Sequence, residues 1–201
     1  MDQQATSGIE LRSGGSVWSH EPFPHVVFPA ILSPTSANQV LAWLQNGRPW
    51  RLRLESFYEQ YEFSLLSENA SEIARDLVSE RFVERVRELI CSHFTVRGHL
   101  ALVDVTAHKL TLGQTIRIHN DSFYGEETHR VLIQLNEGWS IDHGGLLMLF
   151  GSKVPEDVRF VIEPIHGSGF AFEISDHSFH AVSTIRTGER FTLVYTFRDS
   201  R

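Results

Sequence analysis

Residues 114–137 read QTIRIHNDSFYGEETHRVLIQLNE. Two short apolar runs flank a polar, glycine-containing stretch, and within each run apolar and polar residues alternate with the period of two that belongs to a strand. The same signature extends to both sides. HLALVDVTAHKL precedes it, and GGLLMLFGS, VRFVIEP, GSGFAFEI, HAVSTIR and RFTLVYTFR follow, each bounded by Gly, Asn, Asp, Pro or Ser. With the two runs quoted first, this makes eight short strands over about residues 98–198. Such even spacing with turn residues between is the pattern of an all-β sandwich or barrel.

The part before residue 98 is different. PFPHVVFPAILSP predicts a short strand and a turn, and TSANQVLAWLQNG predicts a helix with Ser33 as N-cap, Pro34 as first helical residue and Gly47 as its stop. RPWRLRLESFYEQYEFSLL alternates as a strand or hairpin. Val78, Phe82, Val86, Leu89 and Ile90 then recur at helical steps, with Asp76, Glu80, Arg87 and Glu88 on the water side. Residues 1–20 are polar and Gly/Ser-rich, and predict a flexible N-terminal arm or an edge extension. The fold class is mainly β with flanking helices (α+β), a double-stranded β-helix (jelly roll) with N-terminal helices packed on one sheet. Residues 21–201 form its single domain.

Composition narrows the function. A chain of 201 residues with 41% apolar residues suits one soluble globular domain. No run is apolar enough for a membrane span, and the N-terminus lacks a basic-then-apolar leader, so the expectation is a cytoplasmic protein without a membrane partner. The formal net charge of -7, without a basic cluster, argues against a nucleic-acid partner. The only cysteine, Cys91, excludes an internal disulfide and, following an apolar helical stripe, is expected as a structural thiol.

His119 and Asp121 lie at i and i+2 of an extended segment, where both side chains point the same way. Two such donors supply part of a 2-His-1-carboxylate set for a metal with open positions. Alone the pair is weak, because an Asp there also serves as a turn cap. His129, His143, His166, His177 and His180 are the downstream candidates for a third ligand. His129 faces away from Arg130, Leu132 and Gln134, which share a face. His180 begins a strand 59 residues after Asp121, room for a jelly roll to return beside its start.

Gly113, HND, LNEGW, GGLLMLF, GSGFAFEISDHSFHAV and GERFTLVYTFR follow one another in an order that resembles the prolyl-hydroxylase-like branch of the Fe(II)/2-oxoglutarate-dependent oxygenases over residues 113–198. The resemblance implies His119, Asp121 and His180 as catalytic iron ligands. It implies Arg190, with Thr192 two residues on, as the fork for the distal carboxylate of 2-oxoglutarate, a role that suits a planar guanidinium. Gln134 stands where relatives carry a tyrosine that touches the same carboxylate. The tyrosine common upstream of His-x-Asp is missing, with Lys109 or Leu110 in its place, and Leu146 replaces an acidic residue after Gly-Gly.

With Fe(II), 2-oxoglutarate and O2 as cofactors, the implied reaction couples decarboxylation to succinate and CO2 with hydroxylation of an unactivated C–H bond. Because Asp121 is present, hydroxylation is favoured over halogenation. The expected substrate is a small molecule such as an amino acid or natural-product intermediate. A prolyl or other residue in a peptide is the alternative, and a non-catalytic metal-binding jelly roll is the reading from another class. Arg117, Arg130, Tyr58 and Trp139 are the candidate substrate contacts, and SFYGEET is the loop expected to border the substrate.

Overall fold

Each of the eight expected runs forms a strand in the computed structural model, which describes residues 8–12, 14–67, 71–122 and 127–200. They are β5 (His99–Leu110), β6 (Ile116–His119), β7 (His129–Gln134), β8 (Leu147–Phe150), β9 (Val158–Ile162), β10 (Gly169–Glu173), β11 (His180–Val182) and β12 (Arg190–Ser200). Before them come β1 (Val17–Ser19), β2 (His25–Phe28), β3 (Arg51–Leu54) and β4 (Glu59–Ser64). Among the described residues the strands form an eight-stranded sheet, β1-β2-β10-β7-β12-β5-β4-β3, and a four-stranded one, β6-β11-β8-β9. All pairings are antiparallel. The two sheets make the jelly roll.

Alternation assigns the faces of the large sheet. Phe191, Leu193, Tyr195 and Phe197 of β12 join Val105 and Ala107 of β5 and Val131 and Ile133 of β7 in one core with the helices. Arg190, Thr192, Val194 and Thr196 point the other way, into a cavity between the sheets. The helical layer is α1 (Pro34–Gln45) and α3 (Glu80–His93), with a short α2 (Glu72–Leu77) between them. Ser33 caps α1 by accepting the Ser36 N–H, and Gly47, at φ 63, takes the left-handed turn just after its end. Phe82, Val83, Val86, Leu89 and Ile90 form the buried stripe of α3. Burial of each such side chain contributes about 1.5–3 kcal/mol.

Some expectations change. The Val78–Ile90 helix is interrupted, because Ser79 accepts the Phe82 N–H and starts a new helix, leaving Val78 as the end of α2. Arg87 does not simply face water, since its guanidinium donates to Leu100 O (2.9 Å) and pairs with Glu80 and Glu84. Cys91 is exposed, being one step round the helix from Ile90 and off the apolar stripe. The described part of the expected arm is an edge extension, with β1 paired to β2 and Leu11 buried opposite Leu32. Its first seven residues lie outside the described residues. Among the described residues no helix is long and apolar enough to cross a membrane.

Candidate active site

β6 and β11 lie side by side in the small sheet with His119 opposite His180. Their ring centroids are 4.2 Å apart. Asp121 follows β6 in the left-handed region, φ 62, which an aspartate tolerates better than most residues and which turns its carboxylate back towards both rings. The turn is stitched to the loop before β11. Ser122 Oγ donates to Asp176 Oδ1 (2.8 Å), and Ser178 Oγ donates to Asn120 O (2.8 Å). Asp121 Oδ1 is thereby 3.3 Å from His119 Nε2, and Oδ2 is 3.3 Å from His180 Nε2.

The donor chemistry fits a metal. Nδ1–H of His119 donates to Arg117 O (2.9 Å) and Nδ1–H of His180 to Ser178 O (2.8 Å), which leaves each Nε2 lone pair towards Asp121. The three ligand atoms lie within 4.8 Å of one another, compatible with metal bonds of about 2.0–2.2 Å. Burial, then the neighbouring His180, lowers the His119 pKa, so this imidazole is neutral. Burial alone would raise the Asp121 carboxyl, but the Arg130 guanidinium beside it, the largest opposing influence, holds it well below the usual range. Arg130 Nη1 is 2.8 Å from Asp121 Oδ2 without hydrogen-bond alignment, so that oxygen keeps a lone pair for an ion. Phe57 stacks on His119 at 4.6 Å, and Phe172 meets His180 edge-on at 5.0 Å.

The same cavity, about 520 Å³, reaches Arg190. This guanidinium is only 3% exposed. Its Nη1 donates to Thr192 Oγ1 (2.9 Å), which donates in turn to Gln134 Oε1 (3.0 Å). Nε and Nη2 have no hydrogen-bond partner among the described residues, and burial lowers the Arg190 pKa to about 10. A buried cation with two unused donors calls for an anion, and a carboxylate fits that fork. Thr192 thus spends its proton on Gln134 and orients Arg190, where the sequence suggested a hydroxyl offered to the anion. Gly145 makes room for the Arg190 stem, since a Cβ there would lie 2.9 Å from its Cδ.

Of the candidate substrate contacts, Arg130 and Tyr58 line the cavity. Arg117 does not. β6 carries an extra residue against β11, with His119 opposite His180 and Ile116 opposite Val182, so that Ile116 takes the inward place two-residue alternation gives to Arg117. Arg117 is exposed. Trp139 is a packing residue, stacked on His143 at 4.9 Å, donating to Gly144 O (2.9 Å) and lying against Gly145 beside Arg190. The stretch 57–63 divides, with β4 in the large sheet and Phe57 and Tyr58 in the cavity wall. Residues 123–126 of the expected bordering loop lie outside the described residues.

Sequence reasoning missed His108, Gln60 and Glu62. His108 lies opposite Thr192 in register and opposite Glu62 on its other side, so all three share the inner face. Burial, then Arg130 and Arg190, lowers its pKa to about 3. The signal was available once Thr192 was assigned inward, because its partner in β5 must follow.

Residues 105–198 match the family model of the 2OG-Fe(II) oxygenase superfamily. Comparison with curated proteins finds no match. Among solved structures, a Pseudomonas putida prolyl-4-hydroxylase is 19% identical with TM-score 0.66, over 84% of this chain and 89% of that one. A Trichoplax adhaerens prolyl hydroxylase, in complex with a hypoxia inducible factor peptide fragment, has TM-score 0.72 at 14% identity, over 87% and 83%. The non-heme alpha ketoglutarate dependent epimerase SnoN from nogalamycin biosynthesis has TM-score 0.64 at 11% identity, over 87% and 78%. At these identities the likeness is one of fold. With the family match over 105–198 and a His-Asp-His cluster in a jelly roll, the chain is similar to the 2OG-Fe(II) oxygenases of prolyl-hydroxylase-like fold, a superfamily of dioxygenases that use Fe(II), 2-oxoglutarate and O2.

Proposed function

We propose that this oxygenase hydroxylates an unactivated C–H bond of a small molecule, with Fe(II) held by His119, Asp121 and His180 and the distal carboxylate of 2-oxoglutarate by Arg190. The observation that carries the reading is Arg190, a buried cation that has no counter-ion among the described residues, in the cavity that also holds the triad. A mere metal binder has no use for such a group, whose desolvation is costly unless an anion answers it. Bound iron with 2-oxoglutarate and O2 supplies the oxidising power.

The chain's own residues supply geometry and dryness. Thr192 and Gln134 hold the Arg190 fork in one orientation, while Arg130 keeps Asp121 ionised. Leu132, Leu147, Phe172 and Val182 present apolar walls to the cavity that Arg190 and the triad share. A cavity of about 520 Å³ suits a small substrate. One observation favours the peptide reading. β3 is an exposed edge strand beside the cavity, with Leu52 47% and Leu54 67% exposed, and an extended peptide can add to such an edge.

The test is anaerobic titration of the metal-free protein with Fe(II) and then 2-oxoglutarate. A visible charge-transfer band on the second addition is expected, and its absence sinks the cosubstrate assignment. Arg190→Ala should raise the 2-oxoglutarate concentration needed for that band a hundredfold or more, since loss of a buried charged partner costs about 3–5 kcal/mol. An unchanged requirement points to a different anchor.

A further inference from the structure

Three arginines and five carboxylates line the cavity, an excess of two negative charges among these groups. The ion pairs show where the excess sits. Arg130 serves both Asp121 (2.8 Å) and Glu127 (2.7 Å), while Arg53 serves both Glu55 (3.0 Å) and Glu62 (3.4 Å). Asp104 accepts only from neutral groups in the described contacts, the Ser64 hydroxyl at 2.6 Å and the Val105 N–H at 2.7 Å. Arg190 is reserved for the cosubstrate under the reading above. Fe(II) and the 2-oxoglutarate dianion cancel in formal charge, so loading the site leaves the excess for the substrate to meet.

A second observation, independent of charge, lies at the same end of the cavity. Gln60 is 3% exposed and lines the wall. Its Nε2 donates to Glu62 Oε2 (2.8 Å), and because a carboxylate can only accept, this contact fixes which way the amide is turned. Gln60 Oε1 is then a buried acceptor with no donor among the described residues. Acceptors of Gln60, Glu62 and Asp104 thus line one wall of β4 and β5, and the aromatic rings of Phe57 and Tyr58 border it. Such a wall suits a group that only donates and carries positive charge, and aromatic faces attract the same group. A low-dielectric cleft of one sign also concentrates ligands of the other.

We propose that the substrate carries a cationic nitrogen, an ammonium or guanidinium, received at the wall of Gln60, Glu62 and Asp104. This rests on the small-molecule oxygenase reading and names the class of substrate that site takes. A substrate presenting a carboxylate to this wall would find Arg53 already engaged by two glutamates.

The test uses protein loaded anaerobically with Fe(II) and 2-oxoglutarate and titrated in a calorimeter with L-lysine, L-arginine and spermidine. Nε-acetyl-L-lysine, L-norleucine and L-glutamate serve as neutral and anionic counterparts. At least one cation is expected to bind ten times or more tightly than its counterparts. In Glu62→Gln this preference should fall tenfold or more, with Asp104→Asn as the second variant if the first does not fold. Equal behaviour of cations and counterparts, including no binding by either, overturns the proposal. A missing charge-transfer band instead marks failure of the oxygenase reading, and the two results are separable because one is optical and the other calorimetric.

Discussion

Neighbouring residues of β7 answer to different environments. Arg130 faces the cavity, while His129, 2% exposed, faces the helical layer with its ring 5.6 Å from Phe94 and Nε2 unpartnered among the described residues. Burial lowers the His129 pKa from 6.5 to about 4, only partly offset by Asp199. The folded chain therefore needs this imidazole neutral. Its contribution to stability is fully present above about pH 6.5 and is lost as pH falls from there towards 4, where the unfolded chain takes up a proton that the folded one refuses. Each unit of difference corresponds to about 1.4 kcal/mol. His129→Phe should flatten the fall in urea-unfolding free energy between pH 6.5 and 4. An unchanged slope assigns the acid sensitivity to other groups.

The elements differ in how far they could be read beforehand. The start of α1 was legible, because the Ser-Pro pair names both the cap and the first helical residue. Ser33→Ala should lower stability by about 0.5–2 kcal/mol, read as a shift of the urea midpoint, while metal binding in the distant cavity stays as it was. A larger loss of metal affinity than of stability would mean that the helical layer positions the site. The strands were legible too, since each inner and outer set repeats every second residue. Alternation failed at β6, where one extra residue opposite β11 swaps the facing of Arg117 and Ile116. No local pattern announces such a bulge. His108 escaped for a related reason, because the inner face of β5 is fixed by pairing with β12, 80 residues and more away in sequence. The α3 stripe was read too far back because Val78 keeps the helical spacing to Phe82, and only the Ser79 cap breaks it. The cluster of His119, Asp121 and His180 was legible because resemblance supplied the partner that spacing left open.

At the scale of the molecule, the large sheet separates an apolar core under the helices from the polar cavity between the sheets. Folding places a buried cation and three metal donors together, and only the folded state offers both. Zn(II) and 2-oxoglutarate should therefore stabilise the chain, by about 2.7 kcal/mol for a ligand at 100 times its dissociation constant. For a chain of this size that is a rise of about 5–10 °C in Tm. A melting series that does not respond to 2-oxoglutarate in the presence of Zn(II) would count against a preformed cosubstrate site. The fork at Arg190 also bears on how the catalytic cycle ends. If Arg190 holds the distal carboxylate as proposed, that group is untouched when 2-oxoglutarate becomes succinate, so the product would keep its grip at that end and lose the keto-acid end that the metal would hold. Succinate should therefore raise Tm in the same series by a smaller amount and compete with 2-oxoglutarate. Product inhibition would then follow from the same residue that is proposed to secure the cosubstrate.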